Sequence, residues 1–238
     1  ASQLEALTGD ASFRNYWRLR KGSQSIVLMD APPEHENIKA FVEVASILRA
    51  CGLSAPSIEA IDESNGFALV EDFGNRSFNS EIDHGTNAEL LYQLAIDVLI
   101  ELQSFSPPTQ INHFDDERIL SEASLFIDWT LPALLGRWLS KEERNQFLEI
   151  WREVGQIIKR QRSSLVLFDY HADNLMWLPD RSGLCQVGLL DFQDAVVGPA
   201  TYDLVSLIED ARRDVPDHLA DVLISRYLDA FPSDHAAF

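Results

Sequence analysis

Residues 165–195 read LVLFDYHADNLMWLPDRSGLCQVGLLDFQDA. Six side chains in this run, Asp169, Asp173, Asn174, Asp180, Asp191 and Asp194, carry carboxylate or amide oxygens among residues that are otherwise largely apolar. A carboxylate set into apolar surface is costly unless it is paired, hydrogen-bonded or coordinated to a cation. Asp169 and Asn174 are separated by four residues, the spacing of phosphoryl-transfer catalytic loops, in which the Asp faces a substrate hydroxyl as base and the Asn holds a magnesium ion. Asp191, in LLDFQ, stands where a second carboxylate would complete the magnesium site. Mg²⁺ takes one or two carboxylate or amide ligands and fills its remaining positions with phosphate and water, so Asn174 and Asp191 are a sufficient pair. Asp180, in PDRSG, and Asp173 read as turn residues.

An isolated D-x-x-x-x-N arises often by chance, and its weight here depends on the elements around it. SLVLF reads as a short strand entering the loop DYHADN. LMWL and LCQVGLL read as two strands around the turn PDRSG. Asp169 and Asn174 then leave one end of this hairpin and Asp191 leaves the end of its return strand, so all three converge on one point. Upstream, SFRNYWRLRKGSQSIVLMDAPP reads as an antiparallel hairpin with a KGSQ turn. NIKAFVEVASILRACG places Ile38, Phe41, Val42, Ala45 and Leu48 at helical spacing before Gly52. IEAIDES and FALVEDFG form a second hairpin around NG. From about residue 86 the spacing becomes helical, in NAELLYQLAIDVLIELQSF and in KEERNQFLEIWREVGQIIKR, the latter opened by a Ser140/Glu143 capping box and read as core-packed at Phe147, Ile150, Trp151, Val154, Ile157 and Ile158. The change from sheet to helix lies near residues 72–79. The expected division is therefore 1–74, a small antiparallel sheet with one helix, and 75–238, a larger, mainly helical part carrying the hairpin, in an α+β fold.

At 238 residues with 46% hydrophobic side chains, the chain can fill a substantial core. Nineteen basic against 38 acidic residues give a formal charge of -19, which repels nucleic acid and anionic membrane surfaces, and no Lys/Arg block offsets it. Cys51 and Cys185 have no metal-ligand spacing and read as reduced thiols. The opening ASQLEALTGDASFR has no basic region followed by an apolar run, so the cytoplasm is the expected compartment. Oligomeric state has no readable signal.

The motifs DYHADNLMWLP, GLLDFQDAVVGPATYDLVSLIEDARRDV, GDASFRNYWRL and VLMDAPPE resemble, across nearly the whole chain, the aminoglycoside phosphotransferase-like superfamily, and within it the bacterial branch of N-acetylmuramate/N-acetylglucosamine 1-kinases. The resemblance implies a protein-kinase-like bilobal fold with ATP in the cleft, Mg²⁺ as cofactor and a small-molecule acceptor, an amino sugar or an aminoglycoside. It makes Asp169 the catalytic base and Asn174 and Asp191 the metal ligands. TGDASFR becomes the loop over the phosphates, through Gly9, Asp10, Ala11, Ser12, Phe13 and Arg14. VEDFG becomes the hinge, offering adenine backbone hydrogen bonds at Glu71, Asp72 and Phe73. Asp203 is expected to brace the catalytic loop.

Three features depart from the pattern. LFD stands where related enzymes carry His-Arg-Asp or His-Gly-Asp, with Phe168 expected to fill apolar space. SIVLMDAPP supplies no Lys on the third strand, so phosphate charge falls to Mg²⁺, loop amides and Arg14. The family's further C-terminal helices are not within these residues, so part of an acceptor site is expected outside them. Within the helical part, Asp128 and Trp129 of FIDWTLP are acceptor candidates, against the alternative of a helix end packed by its Trp. Arg212, with Arg213, either meets an anionic substrate group or closes a helix with positive charge. His171 reads as a hydrogen-bonded structural residue. A nucleotide-binding pseudokinase serving as a partner-binding module is the competing class, supported by the missing Lys and by LFD.

Overall fold

The computed structural model describes residues 3–7, 13–232 and 234. Its first half is a five-stranded antiparallel sheet in the order β1-β2-β3-β5-β4, made of β1 (Gln3–Leu7), β2 (Asn15–Lys21), β3 (Gln24–Asp30), β4 (Ile58–Asp62) and β5 (Phe67–Glu71). β2 and β3 run from Asn15 opposite Asp30 to Lys21 opposite Gln24, with Gly22 at φ 64° in the tight turn that KGSQ predicts. β4 and β5 close around Gly66, which donates nothing as a side chain but is required: a Cβ there would lie 2.0 Å from the Ala31 carbonyl oxygen. β1 was not expected from the sequence.

Between β3 and β4 lies α1 (Ile38–Ala50). Asn37 caps its first turn by accepting from the Lys39 N–H at 3.1 Å. The helix buries Ile38, Phe41, Val44, Ala45 and Leu48, so Val44 takes the core position where the spacing had placed Val42. Gly52, at φ 78°, ends it with a backbone hydrogen bond to Arg49.

The second half contains α2 (Phe78–Asp83), α3 (Ala88–Ser104), α4 (Asp116–Leu125), a π-helical turn over Phe126–Thr130, α5 (Leu131–Leu135), α6 (Lys141–Ile158), α7 (Tyr202–Ile208) and α8 (Asp217–Ala230). α3 is its central helix, burying Leu91, Tyr92, Ala95, Ile96, Val98, Leu99, Leu102 and Gln103 and packing along α8. Two short antiparallel pairs sit against it: β6 (Ser163–Val166) with β9 (Val196–Pro199), and β7 (Leu175–Trp177) with β8 (Val187–Leu189). The β7–β8 pair is the expected hairpin, although residues 183–186 form a 3₁₀ turn rather than the start of its second strand. β9 carries no alternating signal and was not foreseen.

α6 corrects a further expectation. Its Ser140/Glu143 capping box forms, yet among its residues only Gly155 is fully buried, while Ile150 and Ile157 are 60% and 64% exposed. The helix has α4 as its main neighbour, and Gly155 lets the two approach: a Cβ there would lie 3.3 Å from Ile119 Cδ1. An amphipathic stripe marks the face that can be buried; how much of it is buried depends on how many neighbours the fold supplies.

The two halves are joined by more than the chain. Ser54, after α1, bridges to Gly188 of β8, its carbonyl accepting the Leu189 N–H at 2.8 Å and its hydroxyl donating to the Cys185 carbonyl at 2.8 Å. Phe41 of α1 stacks on the fully buried Phe192 ring at 5.1 Å. Helix α1 is thereby registered against the segment that carries Asp191.

Candidate active site

β6 delivers the chain to Leu167, Phe168 and Asp169, and the turn between them is unusual. Phe168 has φ 78°, a left-handed conformation that costs a bulky residue free energy and persists only where its surroundings enforce it. Asp203, at the start of α7 and fully buried, supplies the enforcement: its two carboxylate oxygens accept the backbone N–H groups of Leu167 at 2.7 Å and Phe168 at 3.0 Å. This is the bracing role expected of it. Burial pushes the Asp203 carboxyl up to about 7, against the opposing pull of those two hydrogen bonds.

The Phe168 ring lies in an apolar pocket, stacked on Tyr202 at 4.9 Å and edge-on to Phe114 at 5.7 Å, with the Arg118 guanidinium 4.8 Å above it. The ring thus anchors the left-handed turn by packing.

Downstream, Tyr170 donates its hydroxyl to the Ala95 carbonyl of α3 at 2.8 Å, and the buried His171 places Nε2 at 3.1 Å from Asn174 Nδ2. The Asn174 amide nitrogen also donates to the Asp169 carbonyl at 3.0 Å and lies 3.5 Å from Asp191 Oδ2. The β7–β8 register does the rest: Leu175 pairs with Leu189, and the Leu190 N–H donates to the Asn174 carbonyl at 3.0 Å, which sets Asp191 beside Asn174. Asp191 has φ 56°, the other non-glycine residue with positive φ among those described. The three residues picked out by spacing therefore do meet, and two left-handed residues flank their convergence. Burial and the neighbouring Asp191 charge raise the Asp169 carboxyl above the ordinary Asp range.

The donor set fits Mg²⁺. With its nitrogen turned to the Asp169 carbonyl and the His171 ring, Asn174 has its carbonyl oxygen to offer, and Asp191 adds a hard carboxylate. Among the described residues there is no cluster of three or more His, Cys, Asp or Glu that could cage a metal by itself. A two-oxygen set of this kind is what Mg²⁺ completes with phosphate and water.

Arg14 Nη2 donates to Asp191 Oδ1 at 2.8 Å, and its Nε lies 3.6 Å from Glu36. Gln193 donates to the same Asp191 oxygen at 3.1 Å. Phe13 is 61% exposed and stacks on His35 at 4.2 Å. Gly9, Asp10, Ala11 and Ser12 lie outside the described residues.

At the hinge, the side chains are committed to the fold. Asp72 forms a two-pronged pair with the buried Arg18, Nε to Oδ2 at 2.6 Å and Nη2 to Oδ1 at 2.8 Å, and accepts the Gly74 N–H at 2.9 Å. Burial raises the Asp72 carboxyl, but these hydrogen bonds prevail and hold it below its usual value. Glu71 accepts from the Ser57 N–H at 3.1 Å and from Arg181, whose other arm donates to Ser54 at 2.8 Å and whose guanidinium lies 5.0 Å from the Phe73 ring centre. Phe73 in turn rests on Gly188, where a Cβ would come within 2.7 Å of the ring. The Glu71 N–H is itself donated to the Ser57 carbonyl at 2.9 Å.

A cavity of about 410 Å³ opens beside Asp169, lined in part by His171, Tyr202, Glu209, Asp210 and Arg212. The structure brings Arg212 to Asp169 but not Asp128 or Trp129. Asp128 is ion-paired with Arg144 of α6, and Trp129, on the π-helical turn, is 74% exposed rather than packed as a helix end. The helix-closing alternative for Arg212 and Arg213 also fails, because α7 ends at Ile208 and both arginines follow its C-cap. Arg213 instead donates to Asn79 Oδ1 at 2.5 Å and pairs with Asp83, tying α2 to this turn.

Sequence reasoning missed Arg18, Arg181 and Phe192, and of Arg213 it missed the pairing with Asn79 and Asp83. Arg18 had a signal, a charged residue at an inward position of an aromatic strand. The others pair across 110 to 134 residues or pack between halves, where no local pattern speaks.

Comparison with known proteins bears on the family and the fold. The profile of the phosphotransferase enzyme family matches residues 3–237. An N-acetylmuramate/N-acetylglucosamine kinase of Caulobacter vibrioides is 33% identical over 271 residues, covering 98% of this chain and 74% of that protein. A Pseudomonas aeruginosa kinase of the same name is 35% identical over 230 residues, with 95% of this chain and 65% of that protein covered. Among solved structures, an ADP-bound aminoglycoside phosphotransferase superposes with a TM-score of 0.67 at 18% identity, covering 97% of this chain and 79% of that one. The choline kinase LicA from Streptococcus pneumoniae superposes with a TM-score of 0.66 at 12% identity, covering 94% and 75%. The fold is the kinase-like α+β fold.

Proposed function

The chain belongs to the phosphotransferase enzyme family, and we propose that it transfers the γ-phosphoryl group of ATP to a hydroxyl of an amino sugar, the anomeric hydroxyl of N-acetylmuramate or N-acetylglucosamine. The carrying observation is the meeting of Asp169, Asn174 and Asp191, with Asp169 also lining a cavity of about 410 Å³, within the range of about 300–1,000 Å³ for small-molecule sites. Asp169 orients the acceptor hydroxyl and takes its proton, and its raised carboxyl makes it the better base once ionised. Asn174 and Asp191 hold Mg²⁺, which when bound neutralises charge on the terminal phosphates. Arg14 supplies the fixed cation on the nucleotide side, and the backbone at Glu71, Asp72 and Phe73 receives the base. Catalysis is then mostly positioning and charge neutralisation.

An aminoglycoside acceptor is the second reading, favoured by the three carboxylates, Asp169, Glu209 and Asp210, that line the cavity. The test is Mg²⁺-dependent ATP consumption against a panel of N-acetylated sugars and aminoglycosides, with the product read by phosphorus NMR. Phosphate at the anomeric position of a sugar is expected. Phosphate on an aminoglycoside hydroxyl, with none on the sugars, overturns the ranking, and ATP binding without turnover on any acceptor favours a pseudokinase.

A further inference from the structure

The acceptor side of the cavity contains a buried group that the fold leaves incomplete. Asp210 follows the C-cap of α7, and its side chain is 1% exposed. Its Oδ1 accepts the Arg212 backbone N–H at 2.9 Å, whereas its buried Oδ2 has no hydrogen-bond partner. Buried carboxylate oxygens are nearly always satisfied, and one that is not, on a residue lining a cavity, is placed to accept from a molecule bound there. Two residues on, the Arg212 side chain is 47% exposed, with guanidinium nitrogens 3.7 Å from Asp210 Oδ1 and 3.9 Å from Asp173 Oδ2. Asp210 and Asp173 both stand within ion-pair range of the guanidinium, which keeps it at the cavity wall.

The charges in the cavity sharpen the point. Asp169, Glu209 and Asp210 line it, and Arg212 is the Lys or Arg among its described lining residues. An acceptor bearing a carboxylate would be repelled from such a wall unless that carboxylate met Arg212. N-acetylmuramate carries such a group on its lactyl ether, and N-acetylglucosamine does not.

We propose that Arg212 reads an acidic substituent on the acceptor while Asp210 Oδ2 accepts a hydroxyl or amide N–H of the same molecule, so that the site selects an N-acylated sugar acid over the neutral sugar. The inference rests on the amino-sugar reading given above. It is tested by measuring kcat/KM for N-acetylmuramate and N-acetylglucosamine with the intact chain and with Arg212→Gln and Arg212→Lys, folding being verified by circular dichroism. The ratio of the two values, acid over neutral, is expected to fall about 10- to 100-fold in Arg212→Gln, the range for losing a hydrogen bond to a charged partner, and to recover partly in Arg212→Lys. An unchanged ratio, with both sugars still phosphorylated by the intact chain, overturns the role of Arg212 and leaves the amino-sugar reading standing. An intact chain that phosphorylates neither sugar overturns both.

Discussion

Asp203→Asn tests how the catalytic loop is held. Asp203 is fully buried and accepts two backbone N–H groups, from Leu167 and Phe168. Burial favours the neutral carboxyl, the two N–H donors favour the anion, and burial prevails, placing the group at about 7. An unfolded chain titrates its Asp residues near about 3.9, so the folded state binds this proton the more tightly. The stability that follows is fully present below about pH 4 and is lost as pH rises through about 7, a span of roughly 4 kcal/mol at about 1.36 kcal/mol per pKa unit. The Asn variant has no such titration. It does have one oxygen to offer two N–H groups, so one donor faces an amide NH₂, at a cost of about 1–3 kcal/mol at every pH. The intact chain should therefore be the more stable at pH 5, and the gap should close or reverse by pH 8. Urea unfolding of both proteins across that range at constant ionic strength gives the difference directly, the contributions of the chain's other carboxylates cancelling. A difference that stays constant, or that grows as pH rises, would show that the two hydrogen bonds outweigh burial and would refute the reasoning.

Two further outcomes are expected. Asp169→Asn should lower kcat by about 10²- to 10⁴-fold, the range for a positioned acid/base group, with the melting temperature little changed; near-normal turnover would remove Asp169 from the chemistry. Gly188→Ala should raise KM for ATP more than it lowers kcat, because the new Cβ would meet Phe73 ring carbons at 2.7 and 2.9 Å and push on the hinge, and unaltered steady-state kinetics for ATP would show that Phe73 yields without moving its backbone.

The parts of the site that were legible in the sequence are those that a few residues of chain suffice to build. Asp169, Asn174 and Asp191 lie on one loop and one hairpin, so spacing and strand pairing fix their meeting with no knowledge of the rest of the fold. The capping box at Ser140 and the KGSQ turn are local for the same reason. What escaped is either short or distant. β9 is a four-residue strand whose partner residues lie 30 to 36 positions upstream, and only that pairing makes it a strand. Arg181 and Arg213 have partners more than a hundred residues away; in its own neighbourhood Arg181 looks like a turn residue and Arg213 like the end of a helix. FIDWT looked like a lining segment because Trp and Asp suit a sugar, yet composition does not say which way a helix faces. In the fold its Asp pairs with Arg144 and its Trp is largely exposed.

The missing third-strand Lys is instructive because the chemistry demands a charge and leaves its sequence position open. β3 ends in Asp30, which lies opposite Asn15 at the start of β2. Arg14 immediately precedes Asn15, so the guanidinium enters from the neighbouring strand, beside the end of β3. It lies between Asp191, the proposed metal ligand, and Glu36, just ahead of α1. In protein kinases the corresponding cation pairs with a Glu of the helix that follows the third strand. Here the Arg14–Glu36 contact links the same two regions from the adjacent strand. Phe168 follows the same logic one layer below: where a charged residue often stands, an aromatic ring holds the backbone by packing against Phe114 and Tyr202. Both departures replace the residue and keep the constraint, which weighs against reading this chain as a degraded kinase.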